Sequence, residues 1–128
     1  YRPLRIDEEN LAQRGLRLVD SYLPVGGSYA DAPHPDATGM VPLRAGLFLR
    51  PYSPSRRKLE PLRMHRIHRA MQHAAQHALN FHLWWHPHNF GININENMAN
   101  LTVLLDHYRL LQKKYGFTNL TMKEAAGF

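Results

Sequence analysis

A ten-residue stretch, Phe81–Phe90, combines aromatic and imidazole side chains at a density that suits a chemical site. It contains two Trp, two Phe and three His, with the histidines at positions 82, 86 and 88. An imidazole exchanges protons near neutral pH and also binds metal ions, so each histidine is a candidate general acid, general base or ligand. The stretch predicts a buried strand that delivers imidazole to a site at its C-terminal end.

The predicted strand, over residues 80–86, has two different faces because successive side chains of a strand point to opposite sides. The apolar face, which should pack under helices, consists of Phe81, Leu83 and Trp85. The other face, toward a barrel interior or a sheet crevice, consists of His82, Trp84 and His86. His86 lies at the strand end, where sites form in parallel sheets, and we expect it to be the functional histidine.

The elements around this strand alternate between helices and strands. They are a helix from Asp7 to Tyr22, a loop over 24–39, an edge strand over 40–43, a strand over 46–50, a helix over 55–79 in which Pro61 suits a first turn, a helix over 95–115 closed by Gly116, a strand over 117–122 and a final helix from Lys123. Strands that alternate with helices of more than ten residues favour βα units and an α/β fold with a parallel sheet.

The amino-acid composition indicates a globular protein of one domain. The 128 residues suffice for one domain with a modest core, and 44% apolar content indicates a globular chain. No cysteine occurs, which excludes disulfides and thiolate metal sites. No apolar run approaches the roughly 20 residues of a membrane span. The net charge of +6 comes from scattered Lys and Arg, so nucleic-acid binding is not expected.

The region 79–126 resembles the C-terminal end of the NodB-type polysaccharide deacetylases, a carbohydrate esterase family. Their last motif is an apolar strand of the form Leu-x-Leu-x-His, and His82-x-Trp84-x-His86 occupies that frame. His-Pro directly after an aromatic strand occurs in some branches of the family. The likeness is weaker over 43–78. Because the chain begins at Tyr1 and not at Met, we interpret it as an internal or C-terminal piece of a longer protein. The resemblance to the family's last motif implies that residues 1–128 are the C-terminal portion of such a domain.

The resemblance implies a deformed (β/α) barrel and metal-dependent removal of N- or O-acetyl groups from sugars. It implies that His86 protonates the leaving amine or alcohol as general acid. It also implies a divalent metal, commonly zinc, that polarises the acetyl carbonyl and binds the attacking water. The substrate would be an acetylated polysaccharide or sugar, in the cytoplasm or cell envelope of a bacterium. Candidate substrate contacts at the same end of the barrel are Arg50, Tyr52, Trp84, His88 and Asn89.

Three motifs of the family are absent from this chain. There is no adjacent Asp pair and no Arg-x-Pro. His73 and His77 have the His-x-x-x-His spacing, but they lie on a predicted helix without the accompanying Ser or Thr, so no metal role is assigned to them. We expect the chain alone to lack the metal ligands and the catalytic base, to bind no metal tightly and to be inactive. Exposed sheet edges would favour a homodimer.

Two alternative functions stay open at the level of the sequence. His86-Pro87-His88 is an HxH pair, and this spacing on a strand can bind one metal ion through both rings, as in another class of metal-dependent hydrolase. The second alternative is a non-catalytic module in which the basic helix Arg56–Arg69 binds an anionic polymer.

Overall fold

The computed structural model describes residues 11–20, 22, 30–32, 34–43 and 46–127, and helices dominate this part of the chain. The elements in chain order are α1 Leu11–Asp20, β1 Ala30–Asp31, β2 Leu47–Phe48, a first 3₁₀ helix Pro54–Leu59, α2 Glu60–Gln76, β3 Asn80–Phe81, β4 Leu83–Trp84, a second 3₁₀ helix Pro87–Asn93, α3 Ile94–Tyr115 and α4 Met122–Ala125. No helix among these residues is long and apolar enough to cross a membrane.

The predicted fold class, the C-terminal part of a deformed (β/α) barrel with alternating strands and helices, is wrong for the described residues. Each of the four strands is two residues long. They form two separate pairs, β1 with β3 antiparallel and β2 with β4 parallel. A barrel requires every strand to have a hydrogen-bonded neighbour on both sides, and neither pair meets that requirement.

The predicted strand over 80–86 is divided at His82. The strand that precedes His82 is β3, which pairs with β1. The strand that follows His82 is β4, which pairs with β2. The strand predictions over 40–43 and 117–122 are also wrong. The first range is irregular, and α4 takes up the end of the second, where Thr121 and Glu124 form a capping box. The pairing of β3 with β1 and of β4 with β2 depends on contacts between distant segments, which the local residue pattern does not predict.

The helix predictions are closer to the structure than the strand predictions, although α2 is shorter at both ends than the predicted range 55–79. α2 begins at Glu60, with Pro61 in its first turn, and the residues before it form the first 3₁₀ helix. α3 ends at Gly116, whose φ of 69° places it in the left-handed region that glycine adopts easily. The expected cap at Asp7 lies outside the described residues.

The parallel pair β2 and β4, joined by α2, is the part of the fold that carries the candidate site. Leu47 is in register with Leu83, and Phe48 with Trp84. The backbone nitrogen of Leu47 donates to the His82 carbonyl at 2.9 Å. The close approach requires Gly46, because a Cβ there would overlap this carbonyl and lie 2.7 Å from the His82 Cβ.

The main core lies between this strand pair and the helices α2 and α3. Its buried members are Leu47, Leu49, Met64, Ile67, Phe90 and Leu104. Phe81, Leu83 and Trp85 pack against it. The predicted apolar face of the strand is therefore confirmed, even though the strand is divided, because the alternation of side chains survives the change of partner.

A histidine pair lies between α2 and α3. The rings of His68 and His107 stack with their centroids 4.4 Å apart, and the Nε2 atoms of both are buried without a partner among the described residues. The pKa of His68 is below its ordinary value of 6.5, because burial disfavours the charged ring and the charges of His107 and His65 oppose it. An imidazole whose charged form is disfavoured, that of His68, is therefore part of this helix packing.

This pair predicts that acid weakens the fold. A histidine whose pKa is lowered by folding binds protons more readily in the unfolded chain, so its contribution to stability is complete above pH 6.5 and decreases as the pH falls below it. We expect the urea midpoint to fall between about pH 7.5 and about pH 5.5, and to fall less in His68→Leu. The exposed His34 provides the control. If His34→Gln reduces the pH effect as much as His68→Leu does, the pair is not its source.

Candidate functional site

A cluster of aromatic and basic side chains lies at the C-terminal ends of β2 and β4. The ring of Phe48 is 4.5 Å from that of Trp84 and 5.9 Å from that of His86, measured between centroids. Trp84 meets His86 edge-on at 5.4 Å, and His86 stacks on His88 at 5.3 Å. The Arg50 guanidinium lies 6.0 Å from the Phe48 centroid. These five residues are called the strand-end cluster below.

The cluster forms because the two strands run parallel and in register. Arg50 comes two residues after Phe48, and His86 comes two residues after Trp84, so each pair lies on one side of its strand. The register places Phe48 beside Trp84, and Leu49 donates to the Trp84 carbonyl at 2.8 Å. His86 is exposed while Trp84 is half-buried, so solvent reaches the imidazole beside an aromatic surface.

The second 3₁₀ helix fixes the chain directly after His86. The backbone nitrogen of Asn89 donates to the His86 carbonyl at 3.0 Å, which closes the first turn. Phe90 is buried in the core and stacks on Trp85 at 6.0 Å with an interplanar angle of 13°. The imidazole of His86 is therefore carried by a backbone that is anchored in the core on both sides.

Buried polar side chains from α2 and α3 hold the segment that follows β2. Asn97 is 2% exposed, and its Oδ1 accepts the backbone N–H of Tyr52 at 2.6 Å. Its Nδ2 donates to the Phe90 carbonyl at 3.2 Å. Asn93 is the N-cap residue of α3, but its side chain accepts no cap hydrogen bond, and its Nδ2 donates to the Tyr52 carbonyl at 3.3 Å.

Arg63 holds the same segment from the α2 side. It is 2% exposed, and its Nη1 donates to the Arg50 carbonyl at 2.6 Å. Its Nη2 lies 2.5 Å from the Glu60 carboxylate, which also accepts from Asn100 at 3.1 Å. The Nε of Arg63 is buried without a hydrogen-bond partner among the described residues. A buried arginine thus fixes the position of the backbone at Arg50.

The structure brings most of the predicted site residues together. The rings of Trp84 and His88 contact that of His86, and Arg50 joins the strand-end cluster through the Phe48 ring. Tyr52 and Asn89 are tied to the region through their backbones, by the bonds to Asn97 and to the His86 carbonyl. The sequence interpretation missed Phe48, Arg63 and Asn97. Phe48 could have been found, because it lies two residues before Arg50 in the same strand.

Comparisons with known proteins do not supply an identity. No family model, no curated protein and no solved structure matches this chain.

The donor atoms of the described residues do not make a metal centre on their own. Among residues 11–20, 22, 30–32, 34–43 and 46–127, no three His, Asp or Glu side chains are placed to hold an ion. His86 and His88 stack nearly parallel, at 23° between their planes. What the strand-end cluster offers is an exposed imidazole beside aromatic rings, a guanidinium and a second imidazole, which suits proton transfer to a bound polar ligand.

Proposed function

We propose that this chain contributes the general-acid part of a metal-dependent carbohydrate deacetylase, in which His86 protonates the leaving group as an acetyl group is removed from a sugar. The observation that carries the proposal is the exposed His86 at the C-terminal end of β4, next to the aromatic rings of Phe48 and Trp84. The divalent metal, zinc by the resemblance, has to be held by residues outside the described part of the chain.

The proposed role of His86 follows from the bond that breaks. Water adds to the acetyl carbonyl, and the C–N or C–O bond to the sugar then breaks with the electron pair going to nitrogen or oxygen. That atom needs a proton to leave as an amine or alcohol, while the acetyl group leaves as acetate. An imidazolium at His86 can supply this proton, and solvent can return one to the ring because the side chain is exposed.

The surroundings of His86 suit a sugar. The C–H faces of a pyranose ring pack well against aromatic rings, which Phe48 and Trp84 provide beside the imidazole. The Arg50 guanidinium and the His88 imidazole add hydrogen-bond donors for hydroxyl groups at the rim of the same surface. A mostly apolar surface with a few directed polar groups is the usual composition of a small-molecule site.

The non-catalytic alternative, an anionic polymer on the basic helix, has less support. Two arginines of the segment Arg56–Arg69 are inside the fold, with Arg63 2% and Arg66 8% exposed. Arg63 pairs with Glu60, and Arg66 donates to the Asp20 carboxylate at 3.2 Å. Arg63 is thus engaged within α2 and with the Arg50 carbonyl, and Arg66 links α2 to α1, so these two charges do not contribute to a continuous basic surface.

Acetate release tests the proposal. The complete gene product that contains this sequence should release acetate from N-acetylated or O-acetylated oligosaccharides, lose the activity to a chelator and regain it with zinc. The 128-residue chain serves as the control. It should release no acetate, but an acetylated oligosaccharide should shift the indole signal of Trp84 in an NMR titration. Absence of acetate release from both substrate classes, with zinc present and the protein folded, would overturn the proposal.

A further inference from the structure

We infer that Asn97 is a positioning residue that fixes His86 relative to the rest of the strand-end cluster. Its side chain joins the two segments that leave the C-terminal ends of β2 and β4. The catalytic meaning of this role rests on the function proposed for His86, whereas the positioning itself is a property of the fold and can be measured without any substrate.

Both ends of the Asn97 amide are engaged, one with each segment. Oδ1 accepts from the backbone of Tyr52 at 2.6 Å, and Nδ2 donates to the carbonyl of Phe90 at 3.2 Å. Asn93, the last residue of the second 3₁₀ helix, makes a second link between the two segments, since its Nδ2 donates to the Tyr52 carbonyl at 3.3 Å, but Asn93 is only half-buried. Asn97 therefore links the β2 side of the cluster to the β4 side through one buried group.

Each of the two segments leads directly to one half of the cluster. Tyr52 comes two residues after Arg50, whose guanidinium lies over the Phe48 ring. Phe90 belongs to the 3₁₀ helix that starts immediately after His86, and the turn between them is closed by the bond from the Asn89 nitrogen to the His86 carbonyl. A change in the distance between the segments would therefore change the distance between Phe48 and His86.

The chemistry at position 97 requires an amide. The side chain must accept one hydrogen bond and donate another while it is 2% exposed. A carboxylate can accept but cannot donate, and it would face the Phe90 carbonyl with a like charge. An aliphatic side chain would leave a backbone N–H and a C=O without partners in a buried place. Asn97→Asp and Asn97→Ala thus remove one or both of the links.

Asn100 provides a matched control on the same helix. It is the same residue type one turn later in α3, and it is half-buried. Its Nδ2 donates to the Glu60 carboxylate at 3.1 Å and not to either strand-end segment. Asn100→Ala therefore removes a half-buried amide and an interhelix hydrogen bond without cutting the link between the two segments.

The test reads the position of the imidazole directly in the 128-residue chain by NMR. Nuclear Overhauser contacts from the His86 ring to the rings of Phe48 and Trp84 should weaken at least threefold in Asn97→Ala and Asn97→Asp, while the methyl signals of Ile67 and Leu104 stay in place. Asn100→Ala should leave the His86 contacts unchanged. If Asn97→Ala does not fold, Asn97→Asp, which keeps the bond from Tyr52, decides.

Two outcomes separate this inference from the proposed function. His86 contacts that persist in both Asn97 variants, despite shifted amides at Tyr52 and Phe90, would overturn the inference even if the complete gene product is an active deacetylase. Loss of those contacts upholds it even if no acetate is released, in which case the proposed function alone fails. In an active enzyme, kcat should fall at least tenfold in Asn97→Asp with little change in KM.

Discussion

Replacing His86 by glutamine is expected to lower kcat for acetate release by about 10²–10⁴-fold, the range that a positioned general acid contributes. Glutamine is similar in size and keeps a hydrogen-bond donor, but it cannot give up a proton near neutral pH. The exposed ring lies among Phe48, Trp84 and His88, so the variant should leave the core intact. KM should change much less than kcat, because the proton moves only in the transition state.

The pH dependence of the rate distinguishes proton donation from packing. A general acid must be protonated to act, so the wild-type rate should decrease on the alkaline side, and this decrease should disappear in His86→Gln. His73→Gln is the control, because His73 is exposed on α2 and its ring lies 4.2 Å from that of His77, neither of which belongs to the strand-end cluster. A His86→Gln enzyme within about threefold of the wild-type kcat, with the alkaline decrease retained, would show that another group donates the proton.

Arg63→Met is expected to destabilise the chain by about 3–5 kcal/mol, the cost of removing one partner of a buried ion pair. Arg63 is 2% exposed, and its guanidinium bonds both the Glu60 carboxylate and the Arg50 carbonyl. Without it, a nearly buried carboxylate loses its counter-charge and a backbone oxygen loses its donor. Urea unfolding followed by circular dichroism at neutral pH measures the change in the free energy of unfolding.

Arg69→Met is the matched control for this measurement. Arg69 lies on the same helix but is exposed, so its removal should change the stability by no more than about 0.5 kcal/mol. Adding Glu60→Gln to Arg63→Met should restore part of the loss, since it removes the unpaired charge. If Arg63→Met lowers the free energy of unfolding no more than Arg69→Met does, the buried pair makes no net contribution to stability.

Much of the local structure follows from the sequence. The alternation in residues 81–86 assigned the apolar side chains to the core and His86 to the opposite face, and both assignments survive in the structure. Pro61 and Gly116 marked the beginning and the end of helices, because their backbone requirements are strictly local. The resemblance to the deacetylases directed attention to His86, but its function stays a prediction.

Other features depend on partners that lie far away along the chain. The strand around His82 divides because its two halves find different neighbours, β1 and β2. Arg63 lies one turn before Ile67, on the side of α2 that faces the core. Because arginine is charged, the sequence pattern did not predict that this side chain is buried. Nothing near Asn97 in the sequence indicates that its amide bonds two separate segments.

The sequence by itself thus determined which side chains meet within one strand or one helix, because the repeat of the backbone sets those positions. Only the tertiary structure decided that Phe48 lies beside His86, that the strands form two short pairs and not a barrel, and that buried polar groups hold the site. Arg63 and Asn97 become buried and hydrogen-bonded only when segments that are distant in the chain pack together and exclude water. The residue pattern within one helix therefore cannot predict their burial or their partners.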